Sequence, residues 1–259
     1  MEQMLLASST ASIFDQAKQF NADLLILPEG LTRGGDGLPP STPFGGDPPI
    51  PTIFGGQRGS SPTYQTAYAF DGHWQYADKT RLVIFGEYVP YRDYLPFLQS
   101  FDLPGGDLKP GDEIKTLEVN GIRVAPIVCF EELFPNIPQT QTTQGAQLLA
   151  VISVDDWFMG TMAPEQLASG CVWRAVENGL PMFRAASTGL SFACDARGNV
   201  IGRLPIGGAG VLRFDTKIPA ASDAFSYRWV YPLIGLASIL MLIIDAVFSR
   251  FRRPTASSR

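Results

Sequence analysis

Histidine and cysteine are scarce in this chain of 259 residues, which has one histidine, His73, and three cysteines, Cys129, Cys171 and Cys194. Three cysteines are too few for a disulfide framework, and the sequence has no CxxC pair or Cys/His cluster typical of a zinc site. The histidine lies in a predicted hairpin turn over residues 71–74, which argues against a papain-like cysteine–histidine pair. We therefore expect no metal and no cofactor.

Basic charge and nucleotide-binding motifs are also lacking. The chain has 20 Lys and Arg against 25 Asp and Glu, a net charge of -5, and no basic stripe with interleaved aromatics in its main part. Nucleic acid is therefore not an expected partner. The glycine-rich stretches match neither the Walker pattern nor a GxGxxG that opens a helix. With 45% hydrophobic and 17% charged residues, the chain has the composition of a folded domain rather than of a disordered one.

The C-terminal part contains one long apolar run, residues 229–248, broken by Asp245 and the small residues Gly235 and Ser238. About 20 apolar residues span a bilayer. Aromatic residues flank the run at one end and arginines at the other, as at membrane interfaces. We predict a catalytic domain over residues 1–222, a transmembrane helix over 227–249 and a basic cytoplasmic tail over 250–259. A buried core helix is the alternative reading of the run.

Before that run, short apolar stretches alternate with turn signals. Apolar spacing predicts helices over residues 11–20 and 164–178. Strands are predicted over residues 24–27, 63–70, 74–77, 117–119, 123–128, 147–154, 182–186, 191–194 and 200–204. Asn120-Gly121 indicates a type I′ hairpin turn, whereas the Gly- and Pro-rich residues 33–62 are predicted to be a long loop without regular structure. This order favours an α/β sandwich with a mixed sheet.

Three residues with complementary chemistry lie where predicted strands end or just beyond a hairpin. They are Glu29, Lys79 and Cys129. A carboxylate beside a thiol can accept its proton, and a lysine cation can stabilise both a thiolate and an oxyanion. Taken singly, each has a plainer explanation: Glu29 as a solvated turn residue, Lys79 as a surface charge and Cys129 as a small core residue.

The contexts of these residues resemble the Glu-Lys-Cys motifs of the nitrilase superfamily. They read Leu-Pro-Glu at 27–29, Lys79 followed by Phe-Gly-Glu-Tyr-Val-Pro at 85–90, and Val-Cys-Phe-Glu at 128–131. The 85–90 stretch, Ser-Val-Asp-Asp-Trp-Phe at 153–158 and residues 174–189 are similar to the apolipoprotein N-acyltransferase family in particular. That resemblance implies a nitrilase-like α-β-β-α sandwich followed by one C-terminal transmembrane helix.

The resemblance also implies roles for individual residues. Glu29 corresponds to the general base, Lys79 to the group that stabilises the oxyanion, and Cys129 to the nucleophile. Four further positions, one an acid beside the lysine and the others around the pocket, are Glu87, Phe130, Glu131 and Trp157. The implied reaction carries an acyl chain from a phospholipid, through a cysteine thioester, to the N-terminal amine of a diacylglyceryl-cysteine lipoprotein. The implied location is the bacterial inner membrane, with the catalytic domain on its outer, periplasmic face.

Several features depart from the family pattern. Phe130 stands in place of Tyr, Val154 in place of Asn and Leu167 in place of His, and the strand expected before the first helix is absent or degraded. The resemblance implies a multi-helix membrane domain before this one, and a separately encoded N-terminal membrane domain is therefore a further candidate partner. Two other functions remain open: a membrane-anchored amidase of the same superfamily, and an inactive truncated remnant acting as a binding subunit.

Overall fold

Two β-sheets and four α-helices make up the part of the chain that the computed structural model describes, residues 12–32, 35, 44–92, 94–100, 107–220 and 230–251. The helices are α1 (residues 12–19), α2 (Asn136–Thr143), α3 (Ala163–Asn178) and α4 (Val230–Phe251). The strands are β1 (Leu25–Ile26), β2 (Thr52–Arg58), β3 (Tyr64–Phe70), β4 (Trp74–Asp78), β5 (Leu117–Val119), β6 (Ile122–Val128), β7 (Leu148–Ser153), β8 (Met182–Ala186), β9 (Phe192–Cys194) and β10 (Val200–Arg203). Short 3₁₀ helices span Pro96–Ser100, Cys129–Leu133 and Asp156–Phe158.

The first sheet has the strand order β1-β2-β3-β4, and the second has the order β10-β9-β8-β7-β6-β5. In the second sheet β6, β7 and β8 run parallel, while β5, β9 and β10 are antiparallel to their neighbours. The carboxyl ends of the three parallel strands therefore lie side by side at one edge of the sheet, where catalytic groups collect in α/β folds.

Apolar burial follows the layers of a sandwich. Between the sheets, Ile53 of β2, Val128 of β6 and Ile152 of β7 belong to one buried cluster. Helix α1 covers the outer face of the first sheet with Phe14 and Ala17, and α3 covers the outer face of the second sheet. The predicted α-β-β-α architecture is thus confirmed.

Two elements were not predicted, and each has a physical reason. Helix α2 has the sequence Asn-Ile-Pro-Gln-Thr-Gln-Thr-Thr, which lacks an apolar helical period and is typical of a loop. Strand β2 lies inside residues 33–62, so the prediction of a loop without regular structure there is wrong. By contrast, the hairpin turn was correct, since Asn120 and Gly121 both have positive φ, 53° and 73°.

The glycines that made β2 look like a loop are required by tertiary contacts. A Cβ at Gly55 would lie 2.8 Å from the Cα of Glu29, and one at Gly56 would clash with Cγ2 of Thr32. The segment after β1 therefore packs directly on the backbone of β2. This close approach holds Glu29 against the first sheet.

Gly55→Ala is expected to destabilise the fold by about 1–3 kcal/mol, because the added methyl group forces Glu29 or Ile152 to move. Chemical denaturation followed by circular dichroism measures the loss. Gly46→Ala is the matched control, since a Cβ there meets nothing within 4 Å. An equal change in both variants would contradict the close packing of β2 on the segment that carries Glu29.

The C-terminal apolar run forms α4, which begins at Val230 and contains Asp245. Among the described residues, no helix is both long and apolar enough to cross a membrane. The transmembrane helix predicted over 227–249 is therefore not supported. The prediction that the first strand is absent or degraded concerns residues before 12, which lie outside the described residues. Most of the predicted basic tail, residues 252–259, also lies outside them.

Candidate active site

Glu29, Lys79 and Cys129 come directly after, or within three residues of, the ends of β1, β4 and β6. All three side chains are buried, with Lys79 fully so. Their charges interact, since Glu29 and Lys79 each shift the pKa of the Cys129 thiol. The structure therefore brings the three residues singled out in the sequence into one enclosed cluster.

The backbone turns sharply at Cys129. This residue has φ 52°, in the left-handed region that a non-glycine residue rarely occupies, and it opens the 3₁₀ helix Cys129–Leu133. Such a conformation costs about 1–3 kcal/mol and persists only where the surroundings enforce it. The turn takes the chain off β6 at the residue that carries the thiol.

Glu131 ties this turn to the segment that follows Lys79. Its Oε1 accepts hydrogen bonds from Thr80 N at 2.7 Å, Thr80 Oγ1 at 2.9 Å and Arg81 N at 3.1 Å. Its Oε2 accepts one from Val128 N at 3.1 Å. With both oxygens engaged by the protein, Glu131 positions the cysteine and lysine segments relative to one another.

Lys79 is held by backbone and side-chain contacts. Its N–H donates to Gln65 O at 2.7 Å, and its Nζ lies 2.7 Å from Oε1 of Glu87. Glu87 Oε2 accepts from Val83 N at 2.8 Å, which fixes that carboxylate in turn. Burial would lower the pKa of Lys79, but interactions with the acidic groups Cys129, Glu29 and Glu87 outweigh it and raise that pKa. Lys79 is thus a cation at physiological pH.

Glu29 has the properties of a base that works near neutral pH. Burial raises the pKa of Glu29 to about 7, against the lowering effect of the Lys79 charge. Its Oε2 accepts a hydrogen bond from Val154 N at 3.1 Å, and Val154 O lies 3.9 Å from the Cys129 sulfur. Val154 makes both contacts with its backbone atoms, so the replacement of the family's Asn by Val154 leaves them in place.

The thiol itself is protonated at rest. Burial, followed by the charge of Glu29, raises the pKa of Cys129 to about 12, although Lys79 acts in the opposite direction. A thiol of this acidity needs a base at the moment of attack. The cluster therefore supplies a nucleophile, a base and a fixed cation, which is the set of groups that acyl transfer through a covalent intermediate requires.

The other two predicted residues, Phe130 and Trp157, lie in the 3₁₀ helices that follow β6 and β7. Phe130 is half-buried and its ring packs edge-on against Phe134, with centroids 5.4 Å apart. Trp157 is 69% exposed on the 3₁₀ helix Asp156–Phe158. Within the described part of the chain, no group of three or more His, Cys, Asp and Glu side chains is arranged to hold a metal ion.

Sequence reasoning did not identify a buried ionic cluster behind the cysteine. It consists of Glu132, Asp155 and Arg184, with Ser153 beside it. The motifs at 153–158 and 174–189 contain three of these residues, but no local pattern indicated that they contact one another. The available signal was Glu132, the second of two carboxylates that follow the buried strand β6. A buried carboxylate requires a partner.

A cysteine, a glutamate and a lysine set at strand ends of an α-β-β-α sandwich are the types of group that acyl transfer through a thiol uses. The family model for carbon-nitrogen hydrolase matches residues 53–219, more than half of the chain. The chain belongs to the carbon-nitrogen hydrolase family.

Two curated relatives carry a more specific name than the family model. The protein named apolipoprotein N-acyltransferase from Geobacter metallireducens is 39% identical over 153 residues, which cover 59% of this chain and 29% of the relative. Its namesake from Brucella melitensis is 32% identical over 211 residues, or 77% of this chain and 38% of the relative. The chain thus spans about a third of the length of the curated relatives it matches.

Solved structures share the fold. A carbon-nitrogen hydrolase from Helicobacter pylori has a TM-score of 0.60 at 15% identity, covering 80% of this chain and 82% of the other. Saccharomyces cerevisiae Nit3, a member of the nitrilase superfamily, has a TM-score of 0.57 at 17% identity, again covering 80% and 82%. The sandwich is therefore nitrilase-like.

Proposed function

We infer that this chain carries the acyltransferase site of an apolipoprotein N-acyltransferase, which moves an acyl chain from a phospholipid to the N-terminal amine of a diacylglyceryl-cysteine lipoprotein. The observation that carries the proposal is the buried cluster of Cys129, Glu29 and Lys79 in a chain whose curated relatives bear that name. The inactive remnant considered above has less support, because all three groups are present and electrostatically coupled.

The first half-reaction forms a thioester. Glu29 accepts the thiol proton as the Cys129 sulfur attacks the ester carbonyl of the phospholipid. The carbonyl oxygen becomes an oxyanion, which the Lys79 ammonium stabilises. When the C–O bond breaks, the departing alkoxide of the lysophospholipid takes the proton from Glu29, and the acyl chain stays on sulfur.

The second half-reaction transfers the chain. The lipoprotein α-amine attacks the thioester carbonyl, and Glu29 accepts a proton from that nitrogen. Lys79 again stabilises the oxyanion, the C–S bond breaks, and the proton passes from Glu29 to the Cys129 sulfur. The cycle returns each group to its starting protonation state and splits one difficult transfer into two easier steps.

An exposed apolar segment beside the site supports lipid substrates. It spans residues 84–97, after Lys79 and around Glu87. Five of its large side chains are between 52% and 82% exposed, namely Ile84, Phe85, Tyr91, Tyr94 and Phe97. Exposed apolar patches of this kind mark interaction sites. On the family resemblance, the proposed place of action is the outer surface of the bacterial inner membrane. The separately encoded N-terminal membrane domain remains a prediction.

Intact-mass measurement tests the function. The purified chain is mixed with phospholipid vesicles, then with a synthetic diacylglyceryl-cysteine peptide. An added acyl mass that hydroxylamine removes, and that passes to the peptide, is the expected result. Loss of the acyl mass to water as free fatty acid, with no acylated peptide, would favour an amidase-type hydrolase. No adduct and no product would overturn the proposal for this chain.

Lys79→Ala is expected to lower the rate of thioester formation about 10²–10³-fold, because it removes the oxyanion's fixed cation. It also leaves Glu87 without its ion-pair partner, so folding is checked by circular dichroism before the rates are compared. Lys109→Ala, at an exposed lysine, is the matched control. A folded Lys79→Ala enzyme with a near-normal rate would remove Lys79 from the mechanism.

A further inference from the structure

The buried ionic cluster behind Cys129 has no part in the mechanism as described so far. Arg184 donates from Nε and Nη2 to Glu132, at 2.9 and 3.0 Å, and from Nη1 and Nη2 to Asp155, at 2.9 and 3.1 Å. Nη1 also donates to Leu190 O at 2.9 Å. All five donors of the guanidinium are therefore used. The three charged side chains are fully inaccessible to solvent, so no water competes for these bonds.

Both carboxylates of the cluster belong to segments that carry the active site. Glu132 lies on the 3₁₀ helix that begins at Cys129, and Asp155 comes after β7, next to Val154. Val154 N donates to Glu29 Oε2 at 3.1 Å, and Val154 O lies 3.9 Å from the Cys129 sulfur. The backbone of one residue thus contacts both the base and the nucleophile, and the next residue belongs to the ionic cluster.

Asp155 is held on its other sides as well. A Cβ at Gly189 would clash with Oδ2 of Asp155, so the carboxylate lies directly against that backbone. Ser153 Oγ donates to Asp155 Oδ1 at 2.7 Å, and Phe158 N donates to the backbone oxygen of Asp155 at 2.9 Å. A displacement of the Asp155 carboxylate is therefore expected to shift the peptide of Val154 directly before it.

We propose that Arg184 and Asp155 are positioning residues, which fix the backbone of Val154 and so keep the base and the nucleophile at a working separation. They touch no substrate and act only through that backbone. The inference rests on the roles proposed for Glu29 as base and Cys129 as nucleophile. Because a misplacement of about 1 Å can cost about 10²-fold in rate, the effect of the cluster on acyl transfer should be large.

Two variants disturb this arrangement and should keep the fold. The cluster has two carboxylates for one guanidinium, so Asp155→Ala leaves Arg184 paired with Glu132 and no charge uncompensated. Gly189→Ala alters no charge, and its added methyl group displaces the carboxylate of Asp155. Arg184→Ala is less informative, because it would leave two buried carboxylates without their partner and is expected to unfold the chain.

The readout is the pH dependence of Cys129 acylation by p-nitrophenyl butyrate, measured as the acyl mass that Cys129→Ala lacks. Burial raises the pKa of Glu29, and the charge of Lys79 lowers it. The charge of Glu87 raises it further, whereas the hydrogen bond from Val154 N lowers it. Loss of that hydrogen bond should therefore raise the pKa of Glu29. In both variants we expect acylation about 10²-fold slower, with its fall at low pH beginning about one pH unit higher than in wild type.

Two matched controls change the same kinds of group elsewhere. Glu177→Ala removes a buried carboxylate that accepts from Arg174 Nη2 at 3.0 Å on α3. Gly210→Ala adds a methyl group that meets only the side chain of Leu204, at an ordinary contact distance. Both should keep the wild-type pH profile, whatever they cost in stability by circular dichroism.

An unchanged pH profile in folded Asp155→Ala and Gly189→Ala would overturn the proposal, even if both were slower, because the cluster would then serve stability alone. Unfolding of both variants would overturn it for the same reason. Absence of ester acylation in wild type would do so too, since Cys129 would not be a nucleophile. The ester replaces phospholipid and lipoprotein, so a wild-type chain acylated by the ester but not by phospholipid would refute the proposed function and leave the positioning inference standing.

Discussion

Cys129→Ala is expected to form no acyl adduct with phospholipid and to transfer nothing to the acceptor peptide. The sulfur is the only atom of the proposed site that becomes covalently bonded to the acyl chain. Neither Glu29 nor Lys79 can replace it, because Glu29 serves as the base and the raised pKa of Lys79 keeps that amine protonated and non-nucleophilic.

The variant should fold. Alanine keeps the Cβ and tolerates the left-handed backbone about as well as cysteine, and removing one buried sulfur costs on the order of 1 kcal/mol. Cys194→Ala is the matched control, since it makes the same change in a buried cysteine of β9, in the core layer on the other face of the sheet. It should form the adduct at the wild-type rate.

Intact mass before and after hydroxylamine distinguishes the outcomes. An adduct on wild type and Cys194→Ala, absent from Cys129→Ala, would assign the thioester to Cys129. A hydroxylamine-sensitive adduct that persists in Cys129→Ala would move the nucleophile to another residue. The mechanism proposed here would then be wrong, although the chain would still be an acyl carrier.

Local patterns in the sequence were sufficient for most of the sandwich. The Asn120-Gly121 turn and the apolar runs around it are determined by short-range chemistry, so the β5–β6 hairpin was predicted correctly. Strand β2 was missed because its glycines are required by close packing against the segment that carries Glu29, which is distant in sequence. No local pattern contains that contact.

The same division applies to the candidate site. Glu29, Lys79 and Cys129 were found because each stands near a strand end in a recognisable context. Ser153 and the Arg184 cluster depend on the parallel register of β6, β7 and β8, which the alternation of apolar and polar residues does not specify. Residues that act through such a register become visible only in the folded chain.

Glu29→Gln is expected to lower acyl transfer about 10²–10⁴-fold, because a positioned base contributes that much to a proton transfer. The substitution is nearly isosteric, and the glutamine oxygen can still accept the hydrogen bond from Val154 N. What the variant loses is the ability to take a proton from the thiol, and later from the amine. Glu118→Gln, at an exposed glutamate of β5, is the matched control and should transfer normally.

The pH dependence separates the base from the nucleophile. Since burial raises the pKa of Glu29 to about 7, its carboxyl becomes protonated, and transfer should fall, as the pH drops below about 7. In Glu29→Gln that fall should disappear. The charge of Glu29 also raises the pKa of Cys129, so the variant's thiol should be alkylated faster than wild type even though transfer is slower. If alkylation and transfer decline together in Glu29→Gln, the glutamate maintains the shape of the site and the base must be sought among other groups near the sulfur.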